Sequence, residues 1–202
     1  MPPPMSSIST IIVVNDDVPV PGLVEALEQT LQRHFAEIEF ILVANGTASS
    51  MSKIRELVRR MPDTTCLALN EQLDIDAASL VGMENAVADH VLLIAPARDV
   101  VDRLPAVVSA MKAGTDAVFA DPEVASSGNL FERIAYRFLS WMTGATLRSA
   151  PVRLALLNRE AALHLLSRPN AEITLKSRSL GPGFVVEHVE CDFLPLDRKS
   201  VV

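Results

Sequence analysis

Short runs of consecutive apolar residues alternate along this chain with longer segments in which apolar residues recur every three or four positions. The runs predict buried strands at residues 8–14, 38–43, 66–69, 91–94 and 115–120. The intervening segments predict helices from Pro21-Gly22 to Leu31 and over 49–60, 76–88 and 99–113. Strands that alternate with helices pair in parallel through crossovers, so we expect a Rossmann-like three-layer α/β sandwich with a mainly parallel sheet.

The last third of the chain has a different pattern. A capped amphipathic helix is predicted from Leu130 to Met142, with Arg133 and Arg137 beside its apolar stripe. That stripe has three alternative partners, namely the sheet, another protein subunit or a membrane surface. A further helix is predicted at 159–167 and a strand at 184–193, and the small-residue segment 124–128 is the expected flexible joint.

Composition and charge exclude several classes of protein. A chain of 202 residues with 49% hydrophobic residues can form one domain with a substantial core. Its net charge of −7 argues against nucleic-acid binding, which requires a basic surface. Cys66 and Cys191 have neither metal-site nor disulfide-framework spacing and are expected to be reduced core residues. We find no signal peptide or membrane-spanning run and expect a cytoplasmic protein, with a peripheral position at the membrane as the alternative.

Polar residues follow several of the predicted strands. Asn15 and Asp16 follow the first strand, Asn45 follows the second and Asn70 follows the third. Ligands of open α/β sheets bind at the carboxyl ends of strands, which makes these residues candidates for nucleotide binding. The alternative is that they are turn residues, since Asn and Asp side chains bond readily to nearby backbone. The four histidines are scattered without metal-ligand spacing.

These strand ends resemble the family-2 glycosyltransferases of the GT-A fold, and especially their polyprenyl-phosphate sugar synthase branch, similar to dolichyl-phosphate mannose synthase. The first strand and its polar loop read I-I-V-V-N-D-D over residues 11–17. The second strand of the family ends in an acid-acid-glycine-serine signature that holds the nucleoside, and this chain has A-N-G-T at 44–47. Gly46 retains the turn and Asn45 retains a hydrogen-bonding side chain, but both charges are missing.

The resemblance also places the metal-binding acid-x-acid pair of the family. It falls on Ala95 and Ala97, which have no oxygen donor in their side chains, so a divalent metal is expected to bind weakly or not at all. Arg98 could take over the diphosphate through paired hydrogen bonds, or could instead form a surface ion pair. Asp99 is the candidate general base for an acceptor hydroxyl, and its alternative is a helix cap.

The resemblance implies a single GT-A-like domain over residues 8–197, with tails at 1–7, expected to be disordered, and at 198–202. Residues 8–123 would bind the nucleotide-sugar and 129–197 would serve the acceptor or an interface. The implied function is transfer of a sugar from a nucleotide-sugar, with a lipid-linked or membrane-surface molecule as one candidate acceptor. The alternative is an inactive relative that serves as a binding or scaffolding module, either as a homo-oligomer or with a partner protein, through the helix from Leu130 to Met142.

Overall fold

A computed structural model describes residues 5–15, 20–46, 51, 54–55, 58–59, 61, 63–95, 99–121 and 150–191. Its strands and helices follow one another along the chain as β1 (Met5–Val14), α1 (Val20–Leu31), β2 (Phe35–Ala44), β3 (Thr64–Ala68), α2 (Ile75–Glu84), β4 (His90–Ile94), α3 (Val100–Ala110), β5 (Ala117–Asp121), β6 (Leu154–Asn158), α4 (Arg159–Ser167), α5 (Ala171–Ser177) and β7 (Val186–Glu190).

The seven strands form one sheet in the order β3-β2-β1-β4-β6-β5-β7. Strands β3, β2, β1 and β4 pair in parallel, and β5 pairs in parallel with β7. Strand β6 is antiparallel to both of its neighbours, β4 and β5. Two reversals restore the direction, so the carboxyl ends of β1 to β5 and of β7 all lie at one edge, which we call the carboxyl edge.

Apolar side chains cover both faces of the sheet. One face packs against α1 and α3, with Leu27 and Leu104 at its centre. The other face packs against α2, α4 and α5 through Met83, Leu165 and Leu175. Neighbouring residues of each strand point to opposite faces, so the continuous apolar runs in the sequence serve two cores at once. The three-layer α/β sandwich predicted from the sequence is thereby confirmed.

Several local predictions need correction. The sequence pattern predicted neither β6 nor α5, and β7 covers only the middle of the predicted strand 184–193. Helix α2 ends at Glu84, so Val87, predicted on its buried face, is 77% exposed. The described positions of the predicted helix 49–60 are helical, whereas the predicted joint at 124–128 lies outside the described residues. Cys191 is buried and Cys66 is partly buried, and no disulfide joins them.

Helix α2 lies unusually close to the sheet at Gly82. A Cβ atom added to Gly82 would overlap Ile11 Cγ2 and lie 2.9 Å from Val43 Cγ2. Both methyl groups belong to buried residues of central strands and have little room to move. Glycine is therefore required here by the packing distance between helix and sheet.

We predict that Gly82→Ala destabilises the protein by about 1–3 kcal/mol, because the added methyl overpacks the core. Gly22→Ala is the matched control, since Gly22 also lies in a helix but has no atom within 4 Å of an added Cβ. That control should raise stability by about 0.5–1 kcal/mol through helix propensity. Urea unfolding of both variants measures the difference, and equal shifts would contradict close packing at Gly82.

Candidate functional site

The carboxyl edge brings together the amide side chains that the sequence singled out. Asn15 directly follows β1, Asn45 follows β2 in the next position of the sheet, and Asn70 lies two residues beyond β3. Asn70 and Gly46 are exposed, whereas Asn45 is only 2% exposed. The Oδ1 atom of Asn15 is buried and has no hydrogen-bond partner among the described residues. The edge therefore offers a buried acceptor that a ligand or water could satisfy.

Asn45 is held by the backbone of a single residue. Its Nδ2 donates to the carbonyl oxygen of Leu73 at 2.9 Å, and its Oδ1 accepts the N–H of Leu73 at 2.8 Å. Its own N–H donates to the carbonyl oxygen of Val14 at the end of β1. These bonds join β1, β2 and the segment before α2, so Asn45 has a structural function. Its function in nucleotide binding stays a prediction.

Asp99 occupies the N-cap position of α3 but makes no side-chain cap bond. Its Oδ2 lies 3.4 Å from Nε of Arg103, one turn further along the helix, and the residue is 8% exposed. The position follows β4 at the carboxyl edge, close to the expected diphosphate. Its assignment as general base therefore stays a prediction, with the carboxylate already in contact with a guanidinium.

The residues at the end of β4 do not suit the metal that the family resemblance implies. Ala95 is 2% exposed, and its N–H donates to the carbonyl oxygen of Arg153 at 2.8 Å. An alanine methyl group offers no ligand to a hard cation, which takes oxygen donors. Among the described residues, no group of three or more His, Cys, Asp or Glu side chains could hold a metal ion. The side chain of Ala95 therefore cannot supply the metal ligand that the resemblance implies at this position.

Two of the predicted site residues lie outside the described residues, namely Asp16 after β1 and Arg98 before α3. The predicted amphipathic helix from Leu130 to Met142 also lies outside them. No helix within the described part of the chain is long and apolar enough to cross a bilayer.

A group of ionisable side chains at the end of β5 was not predicted from the sequence. We call Asp121, Arg178 and His188 the rim cluster. Nη1 of the buried Arg178 donates to Oδ1 of Asp121, and Nδ1 of His188 lies 2.9 Å from Oδ2 of Asp121. The His188 ring also stacks on Phe119. An acid directly after a buried strand was the available signal for Asp121, whereas Arg178 and His188 are too distant in sequence to be linked to it.

A second buried carboxylate lies in the first turn of α2. Asp76 is fully buried, and its Oδ1 accepts the N–H of Val152 at 2.9 Å, whereas its Oδ2 has no partner within the described part of the chain. Burial raises the pKa of Asp76 to about 6, a change that its bond from Val152 partly opposes. The carboxyl edge thus carries neutral amides near β1 to β3 and buried charges near β5 and β6.

Comparison with known proteins identifies the architecture. No protein-family model matches the chain, and no curated protein matches its sequence. Among solved structures, glucosyl-3-phosphoglycerate synthase from Mycobacterium tuberculosis, in complex with Mg²⁺ and uridine diphosphate, is similar with a TM-score of 0.63 and 14% identity. The similarity covers 95% of this chain and 72% of that one. The chain has the GT-A glycosyltransferase fold.

A second similar structure is the mannosyltransferase PcManGT from Pyrobaculum calidifontis, in complex with GDP-Man and Mn²⁺. It has a TM-score of 0.56 and 15% identity, and the similarity covers 96% of this chain. This chain spans 58% of the length of that mannosyltransferase. At such identities the similarity establishes the GT-A fold, while donor and acceptor are matters for a proposal.

We predict that Asn45→Ala lowers stability by about 1–3 kcal/mol, because the N–H and carbonyl groups of Leu73 both lose their partner. The matched control is Asn70→Ala, which removes an exposed asparagine from the same edge and should change stability by less than about 0.5 kcal/mol. Thermal unfolding compares the two variants.

We also predict that Asn45→Asp, which restores a family acid, destabilises the protein at neutral pH. An ionised carboxylate still accepts the N–H of Leu73 but repels its carbonyl oxygen, to which Asn45 donates. Acidification should recover part of the stability lost relative to wild type, because a protonated carboxyl group can donate again. If Asn45→Asp is as stable as wild type at pH 7, the paired contact with Leu73 is wrong.

Proposed function

We propose that the protein binds a nucleotide-sugar across the carboxyl ends of β1, β2, β3 and β4 and transfers its sugar without a carboxylate-held metal. The observation that carries the proposal is the GT-A fold, with its polar side chains gathered at the edge where open α/β sheets bind ligands. Both structures compared above are complexes with nucleotides or nucleotide-sugars.

The amide groups at this edge suit a neutral part of the donor. The buried Oδ1 of Asn15 can accept a base N–H or a ribose hydroxyl, which would remove its unsatisfied state. The exposed Asn70 and the exposed turn at Gly46 lie on neighbouring strands and complete the surface. Asn45 supports the surface from beneath through Leu73, and the loop residue Asp16 is the further candidate from the sequence.

The chemical step we propose is a single displacement with inversion. The acceptor oxygen attacks the anomeric carbon as the bond from that carbon to the diphosphate oxygen breaks, and the bonding electrons leave with the diphosphate. Arg98 stabilises the leaving charge through two parallel hydrogen bonds, and Asp99 takes the proton of the acceptor hydroxyl. The position of Asp99 after β4, where its carboxylate contacts Arg103, supports this assignment.

In this proposal the acceptor binds to the C-terminal part of the chain. We retain residues 129–197 as the acceptor or interface half, with a lipid-linked molecule as one candidate acceptor. The helix from Leu130 to Met142 would bind that molecule, a membrane surface or a partner protein. The mycobacterial synthase has also been seen in complex with uridine diphosphate and phosphoglyceric acid, which belongs to a different chemical class from a lipid-linked acceptor.

The proposal predicts nucleotide binding that does not depend on manganese. Isothermal titration with uridine and guanosine diphosphates and their sugar conjugates, with and without Mn²⁺, should give the same affinity in both conditions. Arg98→Ala should weaken binding by about tenfold or more, since a hydrogen bond to a charged group contributes about 1.5–3 kcal/mol.

Arg33→Ala is the control for the loss of one positive charge. Arg33 is exposed and lies just before β2, at the opposite edge of the sheet. Its removal should leave nucleotide affinity unchanged. If wild-type protein binds none of these nucleotides, the transferase proposal fails and the scaffolding alternative is favoured.

A further inference from the structure

Two buried ionisable side chains form hydrogen bonds with the backbone of residues 150–152, shortly before β6. Nη2 of Arg178 donates to the carbonyl oxygens of Ala150 and Pro151 at 3.3 and 3.5 Å. The N–H of Val152 donates to Oδ1 of Asp76 at 2.9 Å. We call residues 150–152 the β6 approach. It is fixed by a cation from the end of α5 and by a carboxyl group from α2, so two helices position one segment of the carboxyl edge.

Burial leaves the charge of Asp76 poorly compensated. Its side chain is fully buried, and no described residue forms a hydrogen bond with its Oδ2. The charged groups that affect it are Asp74, which is the N-cap residue of the same helix, and Lys176 and Arg178 from α5. Lys176 bonds to Asp74 and Glu172, and Arg178 bonds to Asp121. Both cations are therefore shared with other carboxylates, and the ionised form of Asp76 is disfavoured in this position.

We propose that the protonation state of Asp76 controls whether the β6 approach stays bonded to α2. In its neutral form the carboxyl group stays buried and keeps the N–H of Val152 bonded. In its ionised form the desolvated charge favours local opening, in which Asp76 and Val152 separate and water reaches the carboxylate. The proposal concerns the carboxyl edge itself and does not depend on nucleotide binding.

The direction of the pH effect follows from proton linkage. The pKa of Asp76 is about 6 in the closed structure, compared with its ordinary value of 3.8 when water reaches it. Between these values the closed state binds more protons than the open state, so rising pH favours opening. The closed state is most stable below about pH 4, loses stability as the pH rises through about 6, and changes little beyond. A difference of about two pKa units corresponds to a roughly hundredfold rise in the opening equilibrium.

Amide hydrogen exchange of Val152, followed by NMR on the full chain from pH 4 to pH 8, tests the proposal. The quantity compared is the protection factor, which corrects for the intrinsic pH dependence of exchange. In wild-type protein it should fall by up to roughly a hundredfold between pH 4 and pH 7 and then level off. In Asp76→Asn it should be independent of pH over this range, because asparagine can accept the same N–H and does not ionise.

The matched control is Asp116→Asn. Asp116 also accepts a backbone N–H, that of Val185 at 2.8 Å, but lies at the start of β5 on the opposite edge. This variant should keep the wild-type pH dependence at Val152. A wild-type protection factor that does not change with pH would overturn the proposal, and that result needs no variant to fold. An Asp76→Asn variant with the same fall as wild type would overturn it equally.

Discussion

The antiparallel strand β6 determines how the carboxyl edge is built. Because β6 runs opposite to β4, its first residue, Leu154, lies beside Ile94, the last residue of β4. The chain that precedes β6 therefore lies among the ends of the parallel strands, where Ala95 donates to the carbonyl oxygen of Arg153. A parallel strand at this place would have brought its own carboxyl end and the loop after it. The reversal instead brings a segment of incoming backbone to the edge.

Incoming backbone at a buried edge requires hydrogen-bond partners, since an unpaired peptide group is costly away from water. The carbonyl groups of Ala150 and Pro151 and the N–H of Val152 obtain theirs from Arg178 and Asp76. A buried ion pair such as Arg178–Asp121 usually gives little net stability compared with apolar packing. We interpret its function as fixing the distance between β5 and the start of β6. In this interpretation the ion pair serves to keep β5 and the start of β6 in position and adds little to the free energy of unfolding.

The parts of the fold that the sequence predicted are those with local signals. Strands β1, β2 and β4 each end in a run of at least four consecutive apolar residues, and the positions of the residues that follow these strands are predicted from the strand assignment alone. Strand β6 was not predicted because L-A-L-L-N contains only four apolar residues and leads directly into α4, and so short an apolar run cannot be distinguished from buried helix by periodicity. The pairing of Asp121 with Arg178 joins residues 57 positions apart, and no local pattern encodes it. The partner of Asn45 is backbone, which leaves no trace in side-chain identities.

The distribution of charge along the edge bears on how the proposed transferase would bind its donor and transfer the sugar without an acid pair at the end of β4. The negative charges of a metal-binding acid pair are roughly balanced by the divalent cation that it binds. A diphosphate would be repelled by the acids without the metal and attracted only when the metal is bound. An edge with Ala95 in place of an acid loses the repulsion together with the attraction. In the proposed transferase, neutral amides such as Asn15 and Asn70 would bind the nucleotide, and Arg98 would bind its diphosphate. The charge that develops on the leaving group during transfer has no such substitute apart from that arginine. Loss of the acids should therefore affect turnover far more than affinity.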